Sequence, residues 1–542
     1  MEYIRVSNLR SLADTGRIEL KPLSLLVGAN SSGKSTFLRI FPLLKQSHEI
    51  RSLGGLVLNE GDVNFGFFNE ALRKGAEPPE LKFEFGFALE KGLYQGASWN
   101  AYFLGTTDVV CELVYVAREH DSRYARLRRL SLTLKMGDAT DSVIIEADED
   151  GLISEFRVND LIATDEEKGA LKLLIRRGLV PELIFAAQDD DLVDRGSNPF
   201  DRRLLSETAS SFHGRTLTET RLATFQDIRV GSPQEMLDIM RSTGAFSWRD
   251  RAKSWNVSSS LFQKVRNLIL ARRMNQILDS VNVYVAQLAN SVYYFQPVRA
   301  TAQRDYLSRD VSVAAVDASG SNVAMVLQGM APNDQFNFRK WMRQHLGFEV
   351  FPQIVGDGAR VALRMKDEKT GTEFNLADTG FGFSQMLPFL VQLWTLIEEQ
   401  PGFKARWMYP PPRRRLMSIP SSFIVAIEQP ELHLHPALQA SLADLIVAVV
   451  ALGRQRGLPI RFVLETHSPT IVERIGQAIE AKLLDPSDAQ VILFEMDRDQ
   501  PTKNISKVCT TAFDSSGVLV DWPFGFFSAP LLLPPQGGSG AE

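Results

Sequence analysis

Gly28-Ala29-Asn30-Ser31-Ser32-Gly33-Lys34-Ser35-Thr36 sits directly after the apolar run Leu23 to Val27. It fits the phosphate-binding pattern G-x-x-x-x-G-K-[ST] in full and in context, with a short strand before it and an apolar-periodic helix after it. The glycines let the backbone curl so that successive N–H groups point inward at phosphate oxygens. Lys34 places a cation on the β- and γ-phosphates, and the Ser35 hydroxyl is suited to ligating Mg²⁺. A helix predicted from Ser35 to about Gln46 aims its positive end at the same anion. Asn30, Ser31, Ser32, Gly33, Lys34, Ser35 and Thr36 are therefore expected to line a nucleoside triphosphate, with Ser35 facing its metal.

The whole chain bounds this reading. Its 542 residues exceed one ordinary core, so two or three structural units are expected. A hydrophobic content of 44% with 23% charged residues is that of a soluble globular chain. No run approaches the roughly 18 uninterrupted apolar residues of a membrane span. Met1-Glu2-Tyr3-Ile4-Arg5 lacks the basic-then-apolar order of a secretory signal. Cys111 and Cys509 are the only cysteines and lie far apart, which argues against a disulfide framework and for a reducing, cytoplasmic setting. A net charge of −5 gives no global positive field, so nucleic-acid binding would need a local patch.

Along the chain, Tyr3 to Leu9 and Ile18 to Val27 read as two strands leading into the phosphate loop. From about Leu81 to Val158 the pattern turns to period two, as in Leu81 to Phe85, Cys111 to Val116 and Leu130 to Leu134, which predicts a half-buried antiparallel sheet. Between about Asp160 and Asn290 the chain reads as helical, early at Leu171 to Ile175 and late over Leu261 to Leu288. A stretch from roughly Asp189 to Arg221, rich in Gly, Ser, Asn and Asp, reads as a mobile loop. Pro410-Pro411-Pro412-Arg413-Arg414-Arg415 reads as a surface loop. Beyond it, Phe423 to Ile427 and Phe462 to Leu464 are apolar runs fit for strands covered on both faces. Leu438, Leu442, Leu445, Ile446, Val449 and Val450 recur between them at helical spacing.

Downstream partners narrow the class. The strand Phe423 to Ile427 runs into Glu428-Gln429-Pro430-Glu431, and a carboxylate at a strand tip beside a phosphate loop holds Mg²⁺ directly or through water. Glu428 is thus the second metal-side candidate. Phe462-Val463-Leu464 runs into Glu465-Thr466-His467-Ser468, where His467 can touch a γ-phosphate and report it. The fourth element is Asn375-Leu376-Ala377-Asp378-Thr379-Gly380-Phe381-Gly382-Phe383-Ser384-Gln385. Its glycines permit close backbone approach, and Ser384 is predicted to cap a helix over about Gln385 to Glu399 whose N-terminus favours an anion. A second such N-terminus makes sense if two subunits sandwich each nucleotide. Gly382, Ser384 and Gln385 are then expected to bind the nucleotide held by the other copy.

In this order the four elements resemble an ATP-binding-cassette (ABC) ATPase of the branch that includes RecF, the structural-maintenance-of-chromosomes (SMC) proteins and the overcoming-lysogenization-defect (OLD) nucleases. Stand-alone OLD-like bacterial AAA-type ATPases are the nearest in pattern. The resemblance rests on Ile4-Arg5-Val6-Ser7-Asn8-Leu9-Arg10-Ser11, the Gly28 to Thr36 loop and Gly380 to Gln385 as a degenerate signature. It continues with Ile427 to Pro436 as Walker B and distal loop, and Glu465 to Ser468 as switch. Tyr294-Phe295-Gln296-Pro297-Val298-Arg299 and Gly320-Ser321-Asn322 are weaker echoes.

This resemblance implies an α/β ABC-type ATPase head: a P-loop core sheet with helices, an antiparallel β subdomain and a helical insertion. The implied boundaries are 1–160 for an N-terminal lobe, 161–292 for the insertion, 293–536 for a C-terminal lobe and 537–542 for a flexible tail. ATP and Mg²⁺ are the implied cofactors, and a dimer of heads the implied assembly. Two departures bear on activity. Gln429 stands where relatives carry the glutamate that orients the attacking water; Gln can orient a water but cannot take its proton, a contribution typically worth about 10²- to 10⁴-fold. Slow hydrolysis resting on Glu428, Gln429, Glu431 and His467 is expected. The nuclease members also carry a TOPRIM domain after the ATPase, and the residues following His467 are too few for it.

His433 and His435 form an HxH pair without the third and fourth ligands of a zinc site. Basic clusters occur at Arg126/Arg128/Arg129, Lys264/Arg266/Arg272/Arg273 and Arg339/Lys340/Arg343; they read either as solvated faces or, for the first two, as a DNA contact. The leading expectation is a dimerising ATPase that gates a separate nuclease or toxin effector in bacterial antiphage defence. A RecF-like DNA-repair ATPase and a structural ATP-bound scaffold are the alternatives.

Overall fold

Short apolar runs such as Leu23–Gly28, Phe423–Glu428 and Ile460–Glu465 need cover on both faces, and the computed structural model places them side by side in a parallel sheet. The structure describes residues 1–50, 52, 54–89, 103–176, 178–185, 198–308, 315–356, 358–398, 422–497 and 505–520. In chain order the core elements are β1 (Leu23–Gly28), α1 (Lys34–Leu38), α2 (Ile40–Glu49), β2 (Val292–Phe295), α3 (Phe381–Glu398), β3 (Phe423–Glu428), α4 (Pro436–Arg456), β4 (Ile460–Glu465), α5 (Pro469–Glu480) and β5 (Ala489–Met496). The five strands run parallel in the spatial order β5-β1-β4-β3-β2. Ser506–Ala512 closes antiparallel on β5. Among the described residues α4 alone is long and apolar enough to pass for a membrane span, but Leu442, Leu445, Ile446, Val449 and Val450 are buried in the core.

The sheet continues through Tyr3–Leu9 into an antiparallel arm of Leu81–Leu89, Thr107–Ala117, Ala125–Met136, Ala139–Ala147, Ile153–Val158 and Leu161–Ile162, giving fifteen strands in all among the described residues. Burial alternates along the arm, as the period-two pattern predicts. Helices Ser260–Arg272 and Met274–Asn290 share its core, and a buried ion pair between Arg266 and Asp141 ties the first of them to the Ala139–Ala147 strand.

Several local expectations change. Ile18 to Val27 splits into Ile18–Glu19 and Leu23–Gly28, because Pro22 between them has no N–H for the ladder. The helix after the loop breaks at Arg39, three residues before Pro42, whose ring in a continuous helix would clash with the carbonyl of Leu38, four residues before it; the second segment then runs to Glu49. Leu171–Leu174 is a strand of a hairpin with Glu182–Phe185 rather than a helix, burying Leu171 and Leu173. Within 189–221, residues 201–207 and 218–227 are helical and 209–211 form a 3₁₀ turn, while 186–197 lie outside the described residues. The Pro410 to Arg415 loop and the 537–542 tail also lie outside them. An unforeseen four-stranded sheet of Tyr306–Leu307, Phe348–Val355, Arg360–Asp367 and Glu373–Asn375 precedes α3.

Candidate functional site

The phosphate loop bends where the sequence allows it. Ser31 (φ 61°) and Gly33 (φ 100°) adopt left-handed backbone, and Gly33 opens α1. Gly28 serves packing: a Cβ there would lie 2.3 Å from the Phe494 carbonyl oxygen on β5. Asn30 and Ser31 are exposed at the loop tip, Ser32 and Thr36 are buried, and the Ser32 hydroxyl has no hydrogen-bond partner. Lys34 folds back, its Nζ donating to the Gly28 carbonyl at 2.9 Å and the Ala29 carbonyl at 2.7 Å. Burial lowers its pKa, and Glu465 and Glu431 nearby oppose that shift.

Two acids end the adjacent strands β3 and β4, directly paired in register. The Ser35 hydroxyl donates to Glu465 Oε1 at 2.9 Å, and Glu465 Oε2 is buried without a partner. Burial raises the Glu465 carboxyl above the ordinary range. Glu428 is engaged elsewhere. Arg39 grips it through Nε to Oε1 at 2.6 Å and Nη2 to Oε2 at 2.8 Å, and the Tyr294 hydroxyl donates to Oε1 at 2.7 Å. Ser35 and Glu428, expected to share the metal, therefore have different partners here. The Ser35–Glu465 oxygens do fit Mg²⁺: a hydroxyl and one carboxylate, with phosphate oxygens and water to complete the shell. Among the described residues no three His, Cys, Asp or Glu side chains converge as an all-protein metal cage, His433 and His435 included.

Beyond Glu428 the chain turns sharply. Gln429 has φ 43° and donates its N–H to the Glu465 carbonyl at 2.9 Å. Glu431 accepts from the His467 N–H at 2.7 Å and the Thr466 hydroxyl at 3.0 Å, which fastens the switch segment to the distal loop. Burial raises the Glu431 pKa and lowers that of His467, with Lys34 adding to the latter, so the imidazole is held neutral. His435 accepts from Ala437 N at the start of α4, and Ser468 caps α5 by accepting from Ile471 N at 3.1 Å.

The signature helix begins earlier than expected. α3 starts at Phe381, so Ser384 lies inside its first turns and does not cap it. Ser384 and Gln385 are buried, and Gly382 packs so closely that a Cβ would meet the His433 carbonyl oxygen at 2.8 Å. Gln385 Oε1 accepts from Arg299 N at 2.7 Å, and its Nε2 returns a bond to the Arg299 carbonyl at 2.8 Å. Arg299 also reaches the Glu428 carbonyl at 3.4 Å, and burial lowers its pKa to about 10. Gly380, just ahead of the helix, is exposed.

Sequence reasoning quoted Glu465, Tyr294 and Arg299 without giving them work, and missed Arg39. An acid closing the apolar run Phe462 to Leu464 on the strand nearest the loop was the available signal for Glu465. Nothing local marks Arg39, whose partner lies 389 residues away.

A glycine-hinged phosphate loop on a parallel sheet, flanked by strand-tip acids and a histidine, defines an α/β fold with a P-loop nucleotide site. Residues 267–472 match the family model described as an AAA ATPase domain, a span that holds Arg299, Gln385, Glu428, Glu465 and His467. The chain is an ATPase. It is similar in structure to the Smc head domain with an extended coiled coil bound to the C-terminal domain of ScpA from Pyrococcus furiosus (11% identity, 94% of this chain and 96% of that one, TM-score 0.32). It is similar also to the SMC head domain from Thermotoga maritima (8% identity, 94% and 97%, TM-score 0.30) and to the Smc head domain with a coiled coil and joint from Pyrococcus yayanosii (10% identity, 95% and 97%, TM-score 0.33). No curated protein matches the chain in sequence.

Proposed function

We propose that this ATPase turns over slowly, dimerises around nucleotide, and uses its nucleotide state to gate a separate effector protein, a nuclease or toxin, in the bacterial cytoplasm during antiphage defence. The observation that carries the reading is that an amide, Gln429, follows Glu428 and that the acids Glu428, Glu431 and Glu465 each have at least one oxygen already bonded. Gln429 cannot take a proton, Glu431 spends both oxygens on the switch segment, Glu428 is held by Arg39, and Glu465 is bonded to Ser35. A site built to hold ATP and orient water without removing its proton suits a timer more than a motor. Bound Mg²⁺ would neutralise phosphate charge, with Ser35 and a strand-tip carboxylate holding it. Gln429 positions water, and neutral His467 senses the γ-phosphate.

In the dimer the start of α3 faces the nucleotide of the second copy. Gly380 offers a clean probe, since a Cβ there meets nothing within 4 Å. Gly380→Arg should keep ATP binding and abolish both ATP-dependent dimerisation, read by sedimentation, and hydrolysis. Steady-state phosphate release tests the slow step: Gln429→Glu should raise it by about 10²-fold or more. Fast wild-type release unmoved by that change sinks the timer. Mass spectrometry of the native complex identifies the effector; a chain that always purifies alone counts against one.

The DNA-repair alternative draws less support. Arg126, Arg128 and Arg129 pair with Glu119, Glu80 and Glu146, Lys264 and Arg272 with Glu207 and Asp201, and Arg339 and Arg343 with Glu349. Cations already matched by carboxylates have little left for phosphates.

A further inference from the structure

Arg299 carries a full charge into the core and meets no counter-ion in contact there. It is 4% exposed, and among the described residues no carboxylate pairs with it. Its guanidinium makes two long bonds, Nη1 to the Gln385 carbonyl at 3.3 Å and Nη2 to the Glu428 carbonyl at 3.4 Å. Nε has no partner, and the Phe295 ring lies 5.9 Å away. A buried charge so poorly matched works against folding. Nor does α3 depend on it: the short bonds from Gln385, at 2.7 and 2.8 Å, go to the main-chain N–H and C=O of residue 299. What the guanidinium does reach is one peptide group. The Glu428 C=O and the Gln429 N–H belong to the same amide plane. Arg299 donates to the first, and the Glu465 carbonyl accepts from the second at 2.9 Å. An amide bonded at both ends keeps its orientation, and that orientation goes with the left-handed φ of 43° at Gln429. A non-glycine residue stays in such a conformation only when its neighbours hold it there.

We infer that Arg299 is a positioning residue for ATP hydrolysis: its guanidinium holds the Glu428–Gln429 peptide in the orientation that aims the Gln429 side chain at the attacking water. The inference rests on the reading of Gln429 as the residue that positions water, and it names what positions Gln429. Folding alone would favour an apolar side chain of similar length at 299, because a packed hydrophobe replaces an unmatched buried charge at no loss or with a gain in stability. A charge kept against that preference, with its one bond outside α3 made to the peptide of Gln429, is the trace that a reaction leaves on a fold.

Phosphate release and thermal melting of the full-length protein, measured side by side, separate this role from a structural one. Arg299→Met should melt at or above the wild-type temperature, yet lower kcat and kcat/KM equally, by about 10- to 100-fold. Gln385→Leu, which removes the main-chain bonds to residue 299, should lower the melting temperature. A fall in melting temperature in Arg299→Met that matches the one in Gln385→Leu makes the residue structural and overturns the inference. In a Gln429→Ala background no side chain is left to aim, so Arg299→Met should take nothing further from kcat; losses that multiply overturn the inference. Two failures are told apart by the single variants. A Gln429→Ala chain as fast as wild type overturns the reading of Gln429 as well, whereas a slow Gln429→Ala beside a normal Arg299→Met overturns this inference alone. Should Arg299→Met not fold, Arg299→Lys keeps the charge and loses the planar fork. It should melt with the wild type and still lower kcat, and a normal kcat overturns the inference.

Discussion

Glu428 and Glu465 end neighbouring parallel strands, stand opposite one another in register and are equally hidden, yet they keep different company. One sits in a closed set of charge-assisted bonds from Arg39 with a phenol added. The other shares one oxygen with Ser35 and has no partner for its second. Position at a strand tip therefore does not assign a role. What differs is the company each keeps: Arg39 at the break between α1 and α2 satisfies the far acid, and the near one has an oxygen without a partner.

The sharpest way to break this contrast is to remove Arg39. Arg39→Ala leaves a buried Glu428 charge with a single neutral donor and should cost about 3–5 kcal/mol of stability by chemical denaturation. A loss below about 1 kcal/mol would place the pair with ordinary surface bridges and dissolve the distinction. Next in size, Lys34→Ala withdraws the cation facing Glu465 and the phosphates. It should weaken ATP by about 2–3 kcal/mol, roughly 30- to 150-fold, in a calorimetric titration. Affinity equal to wild type would remove the phosphate loop from the account. Tyr294→Phe takes only the third bond from Glu428 and should destabilise by about 1.5 kcal/mol in the same denaturation measurement.

The smallest effect is a pH slope. Burial raises the Glu465 carboxyl above its ordinary value of 4.5, so the folded chain holds a proton there more readily than the unfolded one. Stability from this group is present at low pH and is lost as pH rises from 4.5 through the raised folded value. Without nucleotide, Glu465→Gln should melt slightly above wild type at neutral pH, the gap closing as pH falls towards 4.5. Glu431, shifted the same way, keeps part of the slope in the variant. A gap that widens on acidification would contradict the assignment of an unmatched charge.

What was legible in the sequence is what chemistry fixes locally. The phosphate loop declares itself because Gly33 alone suits φ 100° and Lys34 and Ser35 follow at fixed spacing. The apolar runs of β1, β3 and β4 declare burial on both faces. The arm's strands were visible through alternation, though each runs longer than its clearest stretch. Leu171 to Ile175 misled because a five-residue, mostly apolar segment is too short to show a period of its own, and pairing with Leu183 decided it. Ser384 read as a cap, but the helix could already start at Phe381 after the exposed Gly380. Arg39 and the unmatched oxygen of Glu465 were out of reach, since both exist only once residues hundreds of positions apart have met.

The mutual bonds of Gln385 and Arg299 have a mechanical consequence. They clamp the first turns of α3 to the segment that follows β2, and the Arg299 guanidinium extends the clamp to the Glu428 carbonyl at the end of β3, one peptide from the twisted Gln429. The helix start and the strand tip thus form a short rigid lever with its free end at Gly380. Pressure applied at that end by a docking surface would arrive at Gln429 with almost no play, so the gearing between assembly and water placement is only a few hydrogen bonds long.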